Sequence, residues 1–251
     1  KGSVVDLLIM TATPIPRSLA LAQYGDMDIS IIKQKPPGRK PINTALISDA
    51  RIDEVVDKLK KSIAKGAQAY WVCPLIEESE VLHYTAAERR FEQLRAKLGE
   101  GVVELVHGKM SSETKDKIMD RFVSGNIKLL VATTVIEVGV NVPSANIMVV
   151  ENAEKFGLAQ LHQLRGRVGR GSNQSTCLLL YKEPLNTSSR KRLSILRETE
   201  DGFKISEVDL NLRGSGDAIG TAQSGLPRFR MANIEIIEKL METAHQQARY
   251  L

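Results

Sequence analysis

Apolar residues recur along this chain in two alternating rhythms. Short continuous runs have the length and β-branched content of buried strands: VVDLLIMTA at 4–12, INTALIS at 42–48, AYWVCPL at 69–75, VVELVH at 102–107, IKLLVAT at 127–133, NIMVVEN at 146–152 and TCLLLY at 176–181. Ile29 to Gln34 reads as a further strand. Between these runs the period lengthens. Residues 50–65 put Ile52, Val55, Val56, Leu59 and Ile63 on one helical face, and Gly66 ends it. Ile15 to Tyr24 reads as a short helix, with Pro16 in its first turn and Gly25 at its end. Thr85 and Glu88 form a capping box that predicts a helix from there to Gly99. Ser111 caps another through Phe122, stopped by Gly125, and residues 158–167 are helical.

Strand and helix in alternation imply a mostly parallel sheet with helices on both faces. Ligands of such sheets bind at loops beyond the strand C-termini, so chemistry-bearing residues are expected just after strands. The run Lys35-Pro36-Pro37-Gly38-Arg39 can neither pair in a sheet nor continue a helix, and marks a linker. After residue 184 the strands stop. Residues 187–199, 204–212 and 231–249 read as helices, and the last two are separated by the glycine-rich RGSGDAIGTAQSGLPRF at 213–229. Three parts are expected: residues 1–35, an α/β lobe over 36–184, and a helical hairpin with its loop over 185–251.

Composition changes this picture little. The chain has 251 residues, enough to bury a core without a disulfide or metal staple. Cys73 and Cys177 sit in apolar strands and read as buried thiols of a reducing, cytoplasmic protein. The four histidines show no metal-ligand spacing, and no apolar run approaches a membrane span. Charge is more informative. The net +5 is concentrated in Arg165, Arg167 and Arg170, in Arg190, Lys191 and Arg192, and in Arg213, Arg228 and Arg230 around the glycine-rich loop. With aromatics at only 4%, a nucleic-acid partner would be gripped through phosphates rather than by base stacking.

The stretch Gln163-Leu-Arg-Gly-Arg-Val-Gly-Arg170 carries the sharpest signal. Three guanidiniums within six residues repel one another unless an anion lies between them, and arginine's planar fork suits phosphate. This stretch resembles motif VI of superfamily 2 helicases. The resemblance implies that Arg167 and Arg170 reach the γ-phosphate of ATP and that Gln163 touches the partner lobe. LLVATTVIEVGVNVP at 129–143 resembles motif V. It implies a DNA-phosphate contact from Thr133 or Thr134, and Glu137, Gly139 and Asn141 near the nucleotide; Asn141 stands where the family more often has aspartate. VHGKM at 106–110 resembles the motif that lays His107, Gly108 and Lys109 against the DNA backbone. WVCPLIEES at 71–79 resembles motif IV, and Thr11-Ala12-Thr13-Pro14 resembles motif III, whose Thr11 and Thr13 would couple ATP to DNA.

TATPIPRSLALAQYGDMDISIIKQKPPGRKPI, HQLRGRVGRG and RGSGDAIGTAQSG together resemble the RecG-type branch-migrating helicases over essentially the whole chain. The resemblance implies a RecA-like C-terminal motor lobe followed by a translocation hairpin, with Arg213 and Gln223 of its loop near DNA. It implies action on forks and Holliday junctions in recombination and repair, and partners in an N-terminal motor lobe and a wedge domain. No G-x-x-x-x-G-K-[ST] run occurs. Asp53-Glu54-Val55-Val56, the one DExx-like run, opens an amphipathic helix rather than following a buried strand. ATP and Mg²⁺ are therefore expected to be held mainly by a first lobe, of which residues 1–34 resemble the closing edge. That edge is expected to invite self-association. Two other readings stay open: a transcription–repair coupling translocase, and a catalytically inactive RecA-like binding module.

Overall fold

The computed structural model describes residues 38–74, 80–133, 142–171 and 173–216, with single positions elsewhere. The elements expected before residue 35 lie outside these apart from single positions without regular structure, and the helix expected over 231–249 lies outside them apart from Gln247. Residues Lys35–Glu200 form one compact unit, and Lys1–Gln34 with Asp201–Leu251 form a second.

The first unit is built on a six-stranded sheet. Its strands are β1 (Ile42–Ser48), β2 (Gln68–Val72), β3 (Val103–Val106), β4 (Leu129–Ala132), β5 (Ala145–Val150) and β6 (Ser175–Tyr181). Their order is β1-β6-β5-β2-β4-β3, and every pairing is parallel. The helices are α1 (Ile52–Ala64), α2 (Glu80–Leu98), α3 (Ser112–Val123), α4 (Leu158–Arg165) and α5 (Thr187–Glu198). Helices cover both faces, and the central strands β2 and β4 are accordingly buried at every position. On one face Val55, Val56 and Leu59 of α1 and Leu94 of α2 pack on Trp71, Val131 and Val149. On the other, Phe122 of α3 meets Tyr70 edge-to-face, with ring centroids 5.0 Å apart.

The expected strands are all present in this unit. Two boundaries differ. Helix α2 begins at Glu80, so Thr85 lies inside it rather than capping it. Helix α5 packs on β1 and α4 and belongs with the sheet, whereas the sequence grouped it with the hairpin. Its apolar face of Leu193, Ile195 and Leu196 is buried, and among the described elements its neighbours include β1 and α4. Asn186 caps it, accepting from the Ser189 amide at 2.7 Å. Ser111 caps α3 as expected, its hydroxyl accepting from the Thr114 amide at 3.2 Å.

In the second unit, helix α6 spans Gly202–Gly216. It runs through Arg213 and Gly214, which the sequence assigned to the start of the loop. Each interior glycine costs a helix only about 1 kcal/mol, and no proline stands there to end it.

One polar side chain fastens the middle of the sheet. Gln68 is 2% exposed. Its amide nitrogen donates to the Phe122 carbonyl at 2.6 Å and the Ile127 carbonyl at 2.8 Å, and its oxygen accepts from the Ser144 hydroxyl. It thereby ties the end of α3, the start of β4 and the start of β5 to β2. Gln68→Leu keeps the volume and removes the donor. Chemical denaturation of the 251-residue chain should show a loss of about 2–4 kcal/mol, the cost of two stranded buried carbonyls. A change under about 0.5 kcal/mol would mean that packing alone holds this junction.

Candidate functional site

The arginines of the 163–170 stretch do not share one role. Arg165, at the last position of α4, is 2% exposed. Its guanidinium donates to the Leu196 and Thr199 carbonyls, the second at 2.9 Å, and lies 2.9 Å from Nδ1 of His162. A cation thus meets the carbonyl-rich C-terminal end of α5. Burial lowers its pKa, partly offset by Cys177 and Glu200. Arg192 acts likewise, donating to the Glu154 carbonyl at 3.0 Å and the Phe156 carbonyl at 3.3 Å. Both residues are internal ties, although their sequence context reads as a basic surface.

Arg167 and Arg170 follow α4, in the turn that leads into β6. Both are half-buried, as is Gln163 on α4. The Arg170 Nε donates to the Gly166 carbonyl at 3.1 Å, holding its side chain back over the helix end. Burial lowers the Arg170 pKa, and the positive charges of Arg167 and Arg39 lower it further. Tyr70, pushed up to about 12 by burial, feels both Arg170 and Arg167. The two guanidiniums therefore share one region with a third.

Two glycines shape this turn. Gly169 has φ +78°, a left-handed conformation, and a Cβ there would stand 3.0 Å from Ile42 Cγ1. A Cβ on Gly171 would stand 2.5 Å from the Pro143 carbonyl oxygen, closer than any side chain tolerates. Ile42 and Pro143 are both remote from this turn in the sequence, which gives no local sign of either contact.

These contacts correct one expectation. Ile42 and Ser175 are the first residues of β1 and β6, so the arginine turn lies at the N-terminal end of the sheet, not beyond the strand C-termini. The reason is topological. In an all-parallel sheet a crossover helix must return the chain to the starting edge before the next strand. Of the other candidates, the His-Gly-Lys residues and Thr133 do lie at the C-terminal end. His107, Gly108 and Lys109 follow β3, with Gly108 and Lys109 exposed. Lys115 Nζ fixes this loop by donating to the Gly108 carbonyl at 3.0 Å. Burial lowers the His107 pKa; Glu88 opposes this, and Lys115 and Lys109 add to it. Thr133 follows β4, its amide donating to the Val106 carbonyl at 3.4 Å. It is only 1% exposed, which leaves its hydroxyl no surface to offer a phosphate in this arrangement. Thr11, Thr13, Thr134, Glu137, Gly139, Asn141 and Gln223 lie outside the described residues. Arg213 lies on α6 of the second unit.

The Asp53-Glu54 pair has surface partners. Asp53 pairs with Lys97, and Glu54 with Arg51 at 2.7 Å. Among the described residues no group of His, Cys, Asp and Glu could hold a metal ion. No described helix is long and apolar enough to cross a membrane. One further network has no signal in the sequence. Glu151, just past β5, accepts from Trp71 Nε1 and from Arg90 of α2, and Arg90 also lies 5.8 Å above the Trp71 ring. Its members are far apart in the chain, and it fastens α2 to the sheet.

Comparison with known proteins places this arrangement. Residues 51–172 match the helicase conserved C-terminal domain, and residues 199–251 match the family described as ATP-dependent DNA helicase RecG, domain 3, C-terminal. The chain is 51% identical to the ATP-dependent DNA helicase RecG of Acidithiobacillus ferridurans over 96% of its length, and 54% identical to that of Pasteurella multocida over 97%. A solved structure of RecG bound to a three-way DNA junction superposes with a TM-score of 0.75 at 44% identity, covering 96% of this chain and 31% of that one. Over nearly its whole length the chain is similar to RecG proteins. It spans 35% of the length of both relatives and corresponds to their C-terminal part. The RecG match over 199–251 takes in α6 and all that follows it.

The division between internal and offered arginines can be measured. Arg165→Met should destabilise the chain by about 2–5 kcal/mol in urea unfolding, because two carbonyls lose a charged donor. Arg167→Ala should cost less than half of that. Equal effects would erase the distinction.

Proposed function

We propose that this chain is the second motor lobe and translocation segment of an ATP-driven helicase that moves branched DNA, such as forks and Holliday junctions. The observation that carries the reading is the pair of half-buried arginines on a glycine-built turn, set at the opposite end of the sheet from an exposed His-Gly-Lys loop. Arg167 and Arg170 would hold the γ-phosphoryl group of ATP presented by a facing lobe. There they would stabilise the charge that develops as it transfers. Gln163, on the helix before them, would meet that lobe's acidic motif. Gly108 and Lys109 would grip the DNA backbone, with His107 beside them.

The two sites are joined by the segment between Thr133 and Ala145, which must travel from the C-terminal end of β4 to the N-terminal start of β5. Gly171 of the arginine turn abuts Pro143 near the end of that segment. Glu137, Gly139 and Asn141 would face the nucleotide from it, and Thr134 a DNA phosphate. Opening and closing of the nucleotide cleft would thus be felt where DNA is held. The RecG match over 199–251 supports a role for α6 and its following loop, including Arg213 and Gln223, in passing that motion onward.

The donor set of the described lobe is cationic and fits a polyphosphate. It does not fit Mg²⁺, whose carboxylate ligands would come from the facing lobe with Thr11 and Thr13 at its closing edge. The partners follow: that lobe and a junction-reading domain. DNA binding would be dominated by phosphate contacts and would weaken steeply with salt.

The test is ATP hydrolysis with and without forked DNA, by a protein in which this chain follows an intact first lobe. The wild type should show fork-stimulated turnover, and Arg170→Ala should lower kcat by about 10³-fold or more. An unchanged rate would remove the arginine from the reaction. Turnover by the 251-residue chain alone would place a complete phosphate site within it and refute the two-lobe reading.

A further inference from the structure

Arg39 stands at the end of the linker that leads into β1, and neither the motif reading nor the family match gives it a role. The fold fixes it beside the arginine turn. The Pro41 carbonyl accepts from Gln174 Nε2 at 2.6 Å, and the Ile42 amide donates to Glu200. Ile42 pairs with Ser175 and packs against Gly169. The chain three residues past Arg39 is thereby pinned to the turn that carries Arg167 and Arg170. Arg39 and Lys40, both exposed, also line a cavity of about 170 Å³ with His162, Arg165, Gly166 and Glu200. A water molecule needs only about 10–15 Å³ of such space, so a phosphoryl-sized anion fits with its hydration.

The charges in this corner do not cancel. Arg165 is satisfied by backbone carbonyls, and Glu200 offsets it while accepting from the Ile42 amide. His162 faces Arg165 through Nδ1, and a ring nitrogen that accepts from a guanidinium carries no proton of its own. Among the described residues, Arg39 and Lys40 remain in excess on the cavity side. Arg39 also acts on Arg170, whose pKa is lowered first by burial and then by its two neighbouring guanidiniums. Like charges held together by the backbone gain most from a multivalent anion.

We propose that Arg39 is a third phosphate-binding guanidinium, which acts with Arg167 and Arg170 on the polyphosphate of the nucleotide. This rests on the phosphate role given above to the arginine turn. It adds that the site reaches into the linker, so the segment joining this lobe to the preceding one takes part in gripping ATP.

The experiment titrates inorganic tripolyphosphate into the 251-residue chain and follows the ³¹P resonances. Arg39→Gln, Arg170→Gln and Lys191→Gln are compared with the wild type. Lys191 is exposed on α5 just after the C-terminal end of β6, and serves as the control for general charge. Arg39→Gln and Arg170→Gln should each weaken binding by about tenfold or more, the worth of one charge-assisted hydrogen bond, with Lys191→Gln changing it less than about twofold. If Arg170→Gln weakens binding while Arg39→Gln behaves like Lys191→Gln, the third guanidinium is refuted and the arginine turn stands. If neither weakens it, the turn itself is not a phosphate site and both readings fall. Arg39 is exposed, so matching circular dichroism melts will show that Arg39→Gln folds like the wild type.

Discussion

All-parallel pairing is the constraint on which this lobe depends. Each strand ends at one edge of the sheet and its successor must begin at the other, so every loop is committed to one edge or to the crossing between them. Six strands in the order β1-β6-β5-β2-β4-β3 thereby sort the informative residues into two populations. The His-Gly-Lys loop emerges where β3 ends, and the arginine turn lies where β1 and β6 begin. The strands between are four to seven residues long, so the two populations are separated by roughly 13–23 Å of rigid, hydrogen-bonded backbone. Two polyanions can then be handled by one small lobe without competing for the same cations.

Within that frame, the arginines are distinguished by what surrounds them. A buried guanidinium is tolerated only with several acceptors, and the C-terminal turn of a helix offers such a set. Arg165 meets that turn of α5, and Arg192 meets the carbonyls of Glu154 and Phe156. These ties hold α4, α5 and the end of β5 as one block. Arg167 and Arg170 then project from a support that does not shift, which is what precise placement against a reacting phosphate demands.

The fold was largely legible in the sequence because its central strands are fully buried. AYWV within AYWVCPL and LLVA within IKLLVAT are continuous apolar runs, as strands covered on both faces require. Where the sequence misled, the missing information was tertiary. The stripe of Leu193, Ile195 and Leu196 announces a buried helical face but not its neighbour, so α5 was assigned to the hairpin rather than the sheet. Thr85 and Glu88 satisfy a capping pattern, but Glu80 to Tyr84 are equally able to be helical, and the helix takes them in. The arginine cluster looked like one anion site because sequence carries charge and not burial, and Arg165 is 2% exposed. Its place on the sheet was deducible from the crossover rule, but the general preference for strand C-termini pointed elsewhere. The approach of Gly171 to Pro143 and the Arg90–Glu151–Trp71 network join distant segments and left no local trace.

The contact between Gly171 and Pro143 is one of backbone on backbone, with no side chain interposed. Side chains yield by changing rotamer, and so absorb small displacements. Packed main chain has no such slack, because interiors compress little. The two segments therefore meet stiffly, and a side chain added at Gly171 would press on main chain and not on a neighbour able to turn aside. A single methyl group at this point would thus act as a wedge between the arginine turn and the segment that leads into β5.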